Sequence, residues 1–392
     1  MKTEDVLSSR QLDSNNMLKN YTEIQRMRQQ KKLILLIISL IISLVISPLT
    51  STVAFAGAGR TGAQILNLGG GTRAASLGDA FSAIAGDVTS TFWNPSGLSG
   101  LQETQTILSY TDYKELFGDA SEGLYYALFA GASHIEDTGT IGISLQVQGQ
   151  GTIQVTTDSP EVLREENLGT NWALALSYAD QLSAGLAAGI SGKIIRQRLA
   201  QYGGRAYAID FGIQYDFPRT PFPIRVAAVV QNWGTRIKFK DENQSDPLPR
   251  VFRSGTAITL LNTGYHKLQF VADLTAEIDK LREDDEKGVT AFLDQNPGMT
   301  RSQLMSERGV GLHALEWKHL HKNFGIEYSL SKLIFLRAGY KKEPGINLPG
   351  FSDHLTYGLG FRVYFGQLDY AQIPGGGPYN KRLNVVALKF IF

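Results

Sequence analysis

Cysteine is absent from all 392 residues, which removes disulfide scaffolds, thiolate nucleophiles and cysteine-ligated metals in one step. An excess of charge of one sign is missing too: 38 Lys and Arg stand against 37 Asp and Glu, so no global field draws in nucleic acid. Histidine is scarce, at 6 and scattered, and neither a Ser/His/acid set nor a nucleophile elbow emerges. The chain therefore reads as a non-enzyme with no cofactor. Beyond Ile46 no apolar run approaches the ~20 residues of a spanning helix. Membrane character, if present, must lie in residue alternation, which averaged hydropathy hides.

One apolar run does exist near the start. Leu33 to Ile46, broken only by Ser39 and Ser43, follows Arg26, Arg28, Lys31 and Lys32 and precedes Pro48 and Ala54-Phe55-Ala56. A basic region, an apolar core of about 14 residues and a small-x-small site predict a secretory signal peptide over 1–56, cleaved between Ala56 and Gly57. The run stops at Ser47-Pro48, short of a membrane helix. The region before Arg26 is long and mixed in charge, and a start at Met27 rather than Met1 would give a signal of ordinary size. Removing 1–56 shifts the formal charge from +1 to −2.

What fills the rest is alternation. From Arg205 to Phe217, Tyr207, Ile209, Phe211, Ile213 and Tyr215 share one face, while Ala206, Ala208, Asp210, Gly212, Gln214 and Asp216 share the other. The first face suits lipid with interfacial tyrosines, and the second suits a polar lumen. The same pattern recurs around Leu174, Val226, Phe270 and Leu359. Strands are expected near 104-113, 122-133, 138-150, 168-180, 182-199, 203-217, 222-233, 250-261, 265-276, 318-330, 334-342, 353-364, 366-372 and 381-392. The fold class is all-β, an antiparallel transmembrane barrel of about 14 strands over 104–392.

Connection lengths agree with that class. The long ones, 151-167, 234-249, 277-317 and 343-352, follow odd-numbered strands, and short turns such as Gln181, Asn262-Thr263-Gly264 and Ser331-Lys332-Leu333 follow even-numbered ones. Barrels carry short periplasmic turns and longer external loops in alternation, so both termini are expected in the periplasm of an outer membrane. A soluble β-sandwich has no reason to alternate loop length, and its outward faces are polar.

Residues 57–103 read differently, as a Gly- and Ala-rich plug whose Ala74-Leu77 and Ser82-Ala85 regions suit short helices. Gly71-Thr72-Arg73-Ala74-Ala75-Ser76-Leu77-Gly78-Asp79-Ala80-Phe81-Ser82-Ala83-Ile84-Ala85-Gly86-Asp87, followed by Phe92-Trp93-Asn94-Pro95-Ser96-Gly97-Leu98, resembles the N-terminal signature of PorV/PorQ outer-membrane proteins, relatives of the FadL long-chain fatty-acid transporters. Phe324-Gly325-Ile326-Glu327-Tyr328, Leu336-Arg337-Ala338-Gly339-Tyr340 and Leu368-Asp369-Tyr370-Ala371 look like later strands of that family. The resemblance implies a 14-stranded barrel with an N-terminal hatch, here marked by Arg73, Gly78, Asn94, Pro95 and Gly97. Ser96 stands where the family's Asn-Pro motif usually has alanine. The tasks implied are passage of hydrophobic small molecules, docking of secreted protein cargo in type IX secretion, or a purely structural role.

Other motifs weigh less. Gly57-Ala58-Gly59-Arg60-Thr61-Gly62 matches G-x-G-x-x-G without a preceding strand, so nucleotide binding lacks its context. His319 and His321, near His313 and Glu316, lack a further metal ligand at sensible spacing, and Asp241, Asn243 and Ser245 lack the rest of a calcium loop. The segment from Glu277 to Glu316 is a charged external lid, a partner surface or a plain solvated loop. Glu327 and Arg337 fall on the polar face of neighbouring strands, and a three-residue turn at Ser331 to Leu333 would align them as a lumenal ion pair.

The chain ends on a strand. Val386, Leu388, Phe390 and Phe392 share a face with no charged tail after them, so this strand is expected to close the barrel against residues near Thr104 to Tyr110. Leu388, Phe390 and Phe392 resemble the signal read by the outer-membrane assembly machinery. Outer-membrane lipid, that machinery and a hydrophobic ligand or exported cargo are the expected partners, and nucleic acid is not.

Overall fold

The computed structural model describes residues 61–113, 122–156, 162–199, 202–217, 222–239, 245–278, 320–343, 354–374 and 381–392. Ala56, Gly57, the leader, Asp241, Asn243, His313, Glu316, His319 and most of the 277-317 connection lie outside the described residues. No described helix is long and apolar enough to cross a membrane.

The strands, in chain order, are β1 (Gln105–Asp112), β2 (Leu124–Ile135), β3 (Gly139–Gln150), β4 (Thr152–Thr156), β5 (Val162–Asn167), β6 (Thr170–Ser183), β7 (Leu186–Leu199), β8 (Tyr202–Phe217) and β9 (Ile224–Gly234). There follow β10 (Ile237–Lys238), β11 (Ser245–Asp246), β12 (Val251–Asn262), β13 (His266–Glu277), β14 (His321–Leu330), β15 (Ile334–Lys342), β16 (Leu355–Val363), β17 (Gly366–Pro374) and β18 (Arg382–Ile391). Leaving out the β4–β5 hairpin and the small β10–β11 flange, each strand pairs with its neighbour in sequence and β1 pairs with β18. The result is a closed antiparallel barrel of 14 strands.

The seam runs from Gln105 opposite Ile391 to Thr111 opposite Val385, as the alternation of the last strand requires. Thr104 and Phe392 exchange backbone hydrogen bonds of 2.9 and 3.1 Å, which removes the last free edge. Along most of the long strands one face is buried and the other more exposed. Leu176, Leu359 and Leu368 are 63%, 51% and 60% exposed, which marks the outer wall as a lipid face rather than a watered one.

Three expectations are corrected. The turn between β6 and β7 lies at Ala184-Gly185 rather than Gln181, because Gly185 adopts φ 87 and β6 continues to Ser183. The 151-167 segment, read only as a long connection, carries the β4–β5 hairpin, which is not among the expected strands. Ser82 to Ala85 is irregular rather than helical, because Asn94 Nδ2 and Gln214 Nε2 take Ser82 O, Gln214 Nε2 also takes Ile84 O, and the Gly86 N–H that a helix would aim at Ser82 O donates to Gly97 O instead.

Residues 62–101 occupy the lumen. They form a 3₁₀ turn at Gln64–Asn67, short helices at Thr72–Ser76 and Ser90–Trp93, and a second 3₁₀ turn at Pro95–Gly100. Phe81, Trp93, Leu77 and Leu98 are almost wholly buried there, each contributing roughly 1.5–3 kcal/mol. The segment also spans the barrel from end to end. The Gly62 N–H donates to Pro247 O in the long β9–β12 connection, whereas Phe392 lies at the rim of the short turns. Gly62 therefore lies at the long-connection rim and Phe392 at the short-turn rim.

Candidate functional site

The site is the contact between hatch and wall, and small residues make it possible. Gly78 adopts φ 65 and lies so close to β15 that a Cβ would stand 2.6 Å from Tyr340 O. On the wall, Gly339 faces the Gly78 backbone, Gly325 faces Leu77, and Gly358 faces Ser76. Across the lumen, Asn94 and Pro95 press on Gly212 and Gly189 of β8 and β7. A side chain at Gly339 or Gly212 would occupy space the hatch backbone or Asn94 already fills.

Asn94 organises its own turn. Its Oδ1 accepts from Ser96 N at 3.1 Å and Ser96 Oγ at 2.8 Å, while its Nδ2 donates to Ser82 O at 2.8 Å. Ser96, where the resembling family has alanine, thus adds a hydroxyl donor to Asn94. Gly97 packs against Ile84 O and Ser90, where a Cβ would meet both at 2.6 Å.

A chain of alternating charges ties this segment to the wall. The register places Glu327 of β14 directly opposite Arg337 of β15, across the Ser331–Leu333 turn in which Ser331 and Lys332 take φ 53 and 57. Arg337 Nε lies 2.6 Å from Glu327 Oε2, and its Nη1 lies 2.6 Å from Asp369 Oδ1 on β17. Arg73 of the hatch binds Glu327 with two prongs, Nη2 to Oε1 at 2.6 Å and Nε to Oε2 at 2.8 Å. Its Nη1 reaches Asp87 Oδ2 at 3.0 Å, and Lys389 Nζ of β18 reaches the same oxygen at 3.0 Å. Asp369, Arg337, Glu327, Arg73, Asp87 and Lys389 alternate in sign and balance.

Burial works against the charge on Asp87, but Lys389, then Arg73 and the Thr89 hydrogen bonds, outweigh it and hold the carboxyl well below the usual carboxylate range. For Arg73 burial again opposes the charge, and Glu327 and Asp87 overcome it, so the guanidinium stays protonated.

Sequence reasoning named Arg73, Glu327 and Arg337 but not Asp87, Asp369 or Lys389 as partners. Lys389 carried a readable signal: a lysine on the inner face of a strand otherwise built of Val385 and Ala387 needs a carboxylate inside the protein. A second buried group sits where β9 bulges. Asn232, at φ 60, donates its N–H to Asp210 Oδ1 at 2.8 Å, and Lys193 Nζ lies 2.6 Å from Asp210 Oδ2. His321 pairs with Glu277 at 2.9 Å, and no group able to hold a metal occurs among the described residues. Leu388, Phe390 and Phe392 point outward, and Phe392 stacks on Phe365 and Phe390 with ring centroids 6.2 and 6.4 Å apart.

A family model described as type IX secretion system protein PorV matches residues 57–282. The chain belongs to the PorV family. It is accordingly an outer-membrane β-barrel of a family described by a secretion-system protein. No curated protein matches the PorV-family chain in sequence. Among solved structures, the Ralstonia pickettii toluene transporter TbuX is 11% identical, with 83% of this chain and 98% of that one covered and a TM-score of 0.49. A Pseudomonas aeruginosa FadL homologue is 10% identical, with 82% and 97% covered and a TM-score of 0.44. The Pseudomonas putida toluene transporter TodX is 11% identical, with 83% and 99% covered and a TM-score of 0.44.

Proposed function

We propose that this PorV-family barrel handles exported cargo at the outer membrane as a component of type IX secretion, with its lumen shut by the hatch and its long connections as the docking face. The observation that carries the reading is the balanced ionic chain from Asp369 to Lys389, which fixes the hatch in the lumen rather than leaving it as a loose gate. On this reading the signal peptide is cut after Ala56, and the family match begins at the next residue, Gly57. The hatch is 57–103, the barrel is 104–392, the long connections face outward, and Phe392 at the periplasmic rim is read by the assembly machinery. A strain lacking the protein should retain cargo that the parent releases, and unaltered cargo release would reject the reading.

A second reading, passage of a hydrophobic small molecule, draws on a different observation. Tyr126, Leu128, Ile195, Ile237 and Leu248 form a buried apolar cluster towards the long connections, with Ala63, Ile65 and Leu66 of the hatch seated on it. Native mass spectrometry of detergent-purified protein would show a co-purifying apolar ligand on this reading and none on the first.

A further inference from the structure

We propose that the outer wall of the barrel carries a binding site for a phosphorylated lipid headgroup of the outer leaflet, centred on Arg196 and Arg205. The inference rests on the long connections lying outside the cell, and not on cargo handling.

On β7 the inner face is set by Lys193 and Ile195, so Arg196 and Arg198 point outward, and both are exposed. On β8 the inner face is set by Ala206, Ala208 and Asp210, so Arg205 points outward and is exposed. The register then puts Arg196 directly opposite Arg205, and Lys238 of β10 directly opposite Arg205 on the other side. Like charges facing each other across strands are unfavourable, with Cβ atoms only about 5 Å apart, and an anion between Arg196 and Arg205 would relieve that repulsion. Among the described residues Arg196 and Arg205 make no ion pair.

The surroundings fix the class of anion. Trp172 stands opposite Arg196 on β6, and Tyr207 lies one outward step below Arg205, so aromatic groups suited to a membrane interface frame the cations from the lipid side. An anion held here has an acyl-accessible wall beneath it and water above it. Guanidinium groups grip phosphate oxygens in pairs, which fits a phosphomonoester on a lipid better than a lone carboxylate.

The placement of other cations supports the same reading independently. Lys322 of β14 stands directly opposite Lys342 of β15, both outward, above the Phe324 and Tyr340 rings whose centroids are 6.3 Å apart. Arg382 of β18 also points outward, its Cζ 5.3 Å from the Tyr357 ring centroid. Within the described barrel strands, every outward Lys or Arg lies towards the long-connection rim. The inward ones, Lys193, Arg253, Arg337 and Lys389 among them, are spread along the lumen. A wall that is basic at one leaflet only matches a membrane whose phosphate-rich lipid lies in that leaflet.

The test is native mass spectrometry of the detergent-purified full barrel with bis-phosphorylated lipid A, dephosphorylated lipid A or inorganic phosphate added. Bis-phosphorylated lipid A should be retained, about tenfold more weakly by R196A/R205A and between that variant and the parent by R196K/R205K, which keeps the charge but loses the paired grip, with folding checked by heat-modifiable gel mobility. If R196A/R205A fails to fold, R205A alone should show a smaller loss in the same direction. Equal retention of dephosphorylated lipid A, competition by inorganic phosphate, or unchanged binding by the folded variants would each overturn the proposal. Because the chain has no cysteine, Lys238→Cys gives a clean topology check: labelling by an impermeant maleimide in intact cells supports the outer-leaflet assignment. Absence of labelling would overturn that assignment without bearing on whether the deletion strain retains cargo.

Discussion

Glu327 holds two guanidinium groups at once, Arg73 from the hatch and Arg337 from the neighbouring strand, so its removal leaves two buried cations facing each other. Breaking a buried pair by deleting one partner costs about 3–5 kcal/mol. Glu327→Ala should lower the urea midpoint accordingly, and a midpoint within error of the parent would contradict the assigned network. Asp87 sets the pH behaviour of the hatch. Its folded pKa is depressed, so its stabilisation is full above the ordinary carboxylate pKa and is lost as pH falls through the lower, folded value. Trp93, buried in the hatch with its Nε1 donating to Gly70 O, should keep its fluorescence from neutral pH to about pH 4 and change only in stronger acid. A transition near neutrality would contradict this. At this scale the sequence was half readable: Glu327 and Arg337 are ten residues apart across one turn, whereas Lys389 and Asp87 are separated by 302 positions and only the closed barrel brings them together.

Strands were the readable elements, because alternation between lipid and lumen is written into each one and a one-residue slip would invert every side chain. The hatch was not. Ser82 to Ala85 has helix-compatible residues, yet side chains of Asn94 and Gln214 take the carbonyls of Ser82 and Ile84 that a helix would need as acceptors. The wall glycines are the elements' fitting surface. Gly339→Leu should force the Thr72–Ser76 helix and Gly78 away from β15 and expose the hatch to protease, while Gly192→Leu, with open space around it, should leave digestion unchanged. Equal digestion patterns would mean the hatch does not depend on that contact. For β18, deletion of Phe392 or its replacement by Asp removes a ring stacked on Phe365 and Phe390. Assembly into the outer membrane should fall sharply in either variant, and normal amounts of heat-modifiable protein would refute a role for that terminus.

At the scale of the whole molecule, a closed wall and a hatch pinned at both ends describe a barrel that works without opening its lumen. Gly62 is bonded to the long β9–β12 connection, Arg73 and Asp87 to β14 and β18, and Asn94 is pressed on β8. On the proposed function, cargo engages the long-connection rim and the hatch stays in place throughout. Thr72 in the hatch and Ser109 in β1 have their hydroxyl oxygens 3.3 Å apart, and the chain holds no other thiol that could compete. In a T72C/S109C variant, oxidation would lock hatch to wall and reduction would free it. Cargo release by cells carrying this variant should be the same in the oxidised and reduced states; loss of release on oxidation, restored by reduction, would show that the hatch must move and would contradict the account.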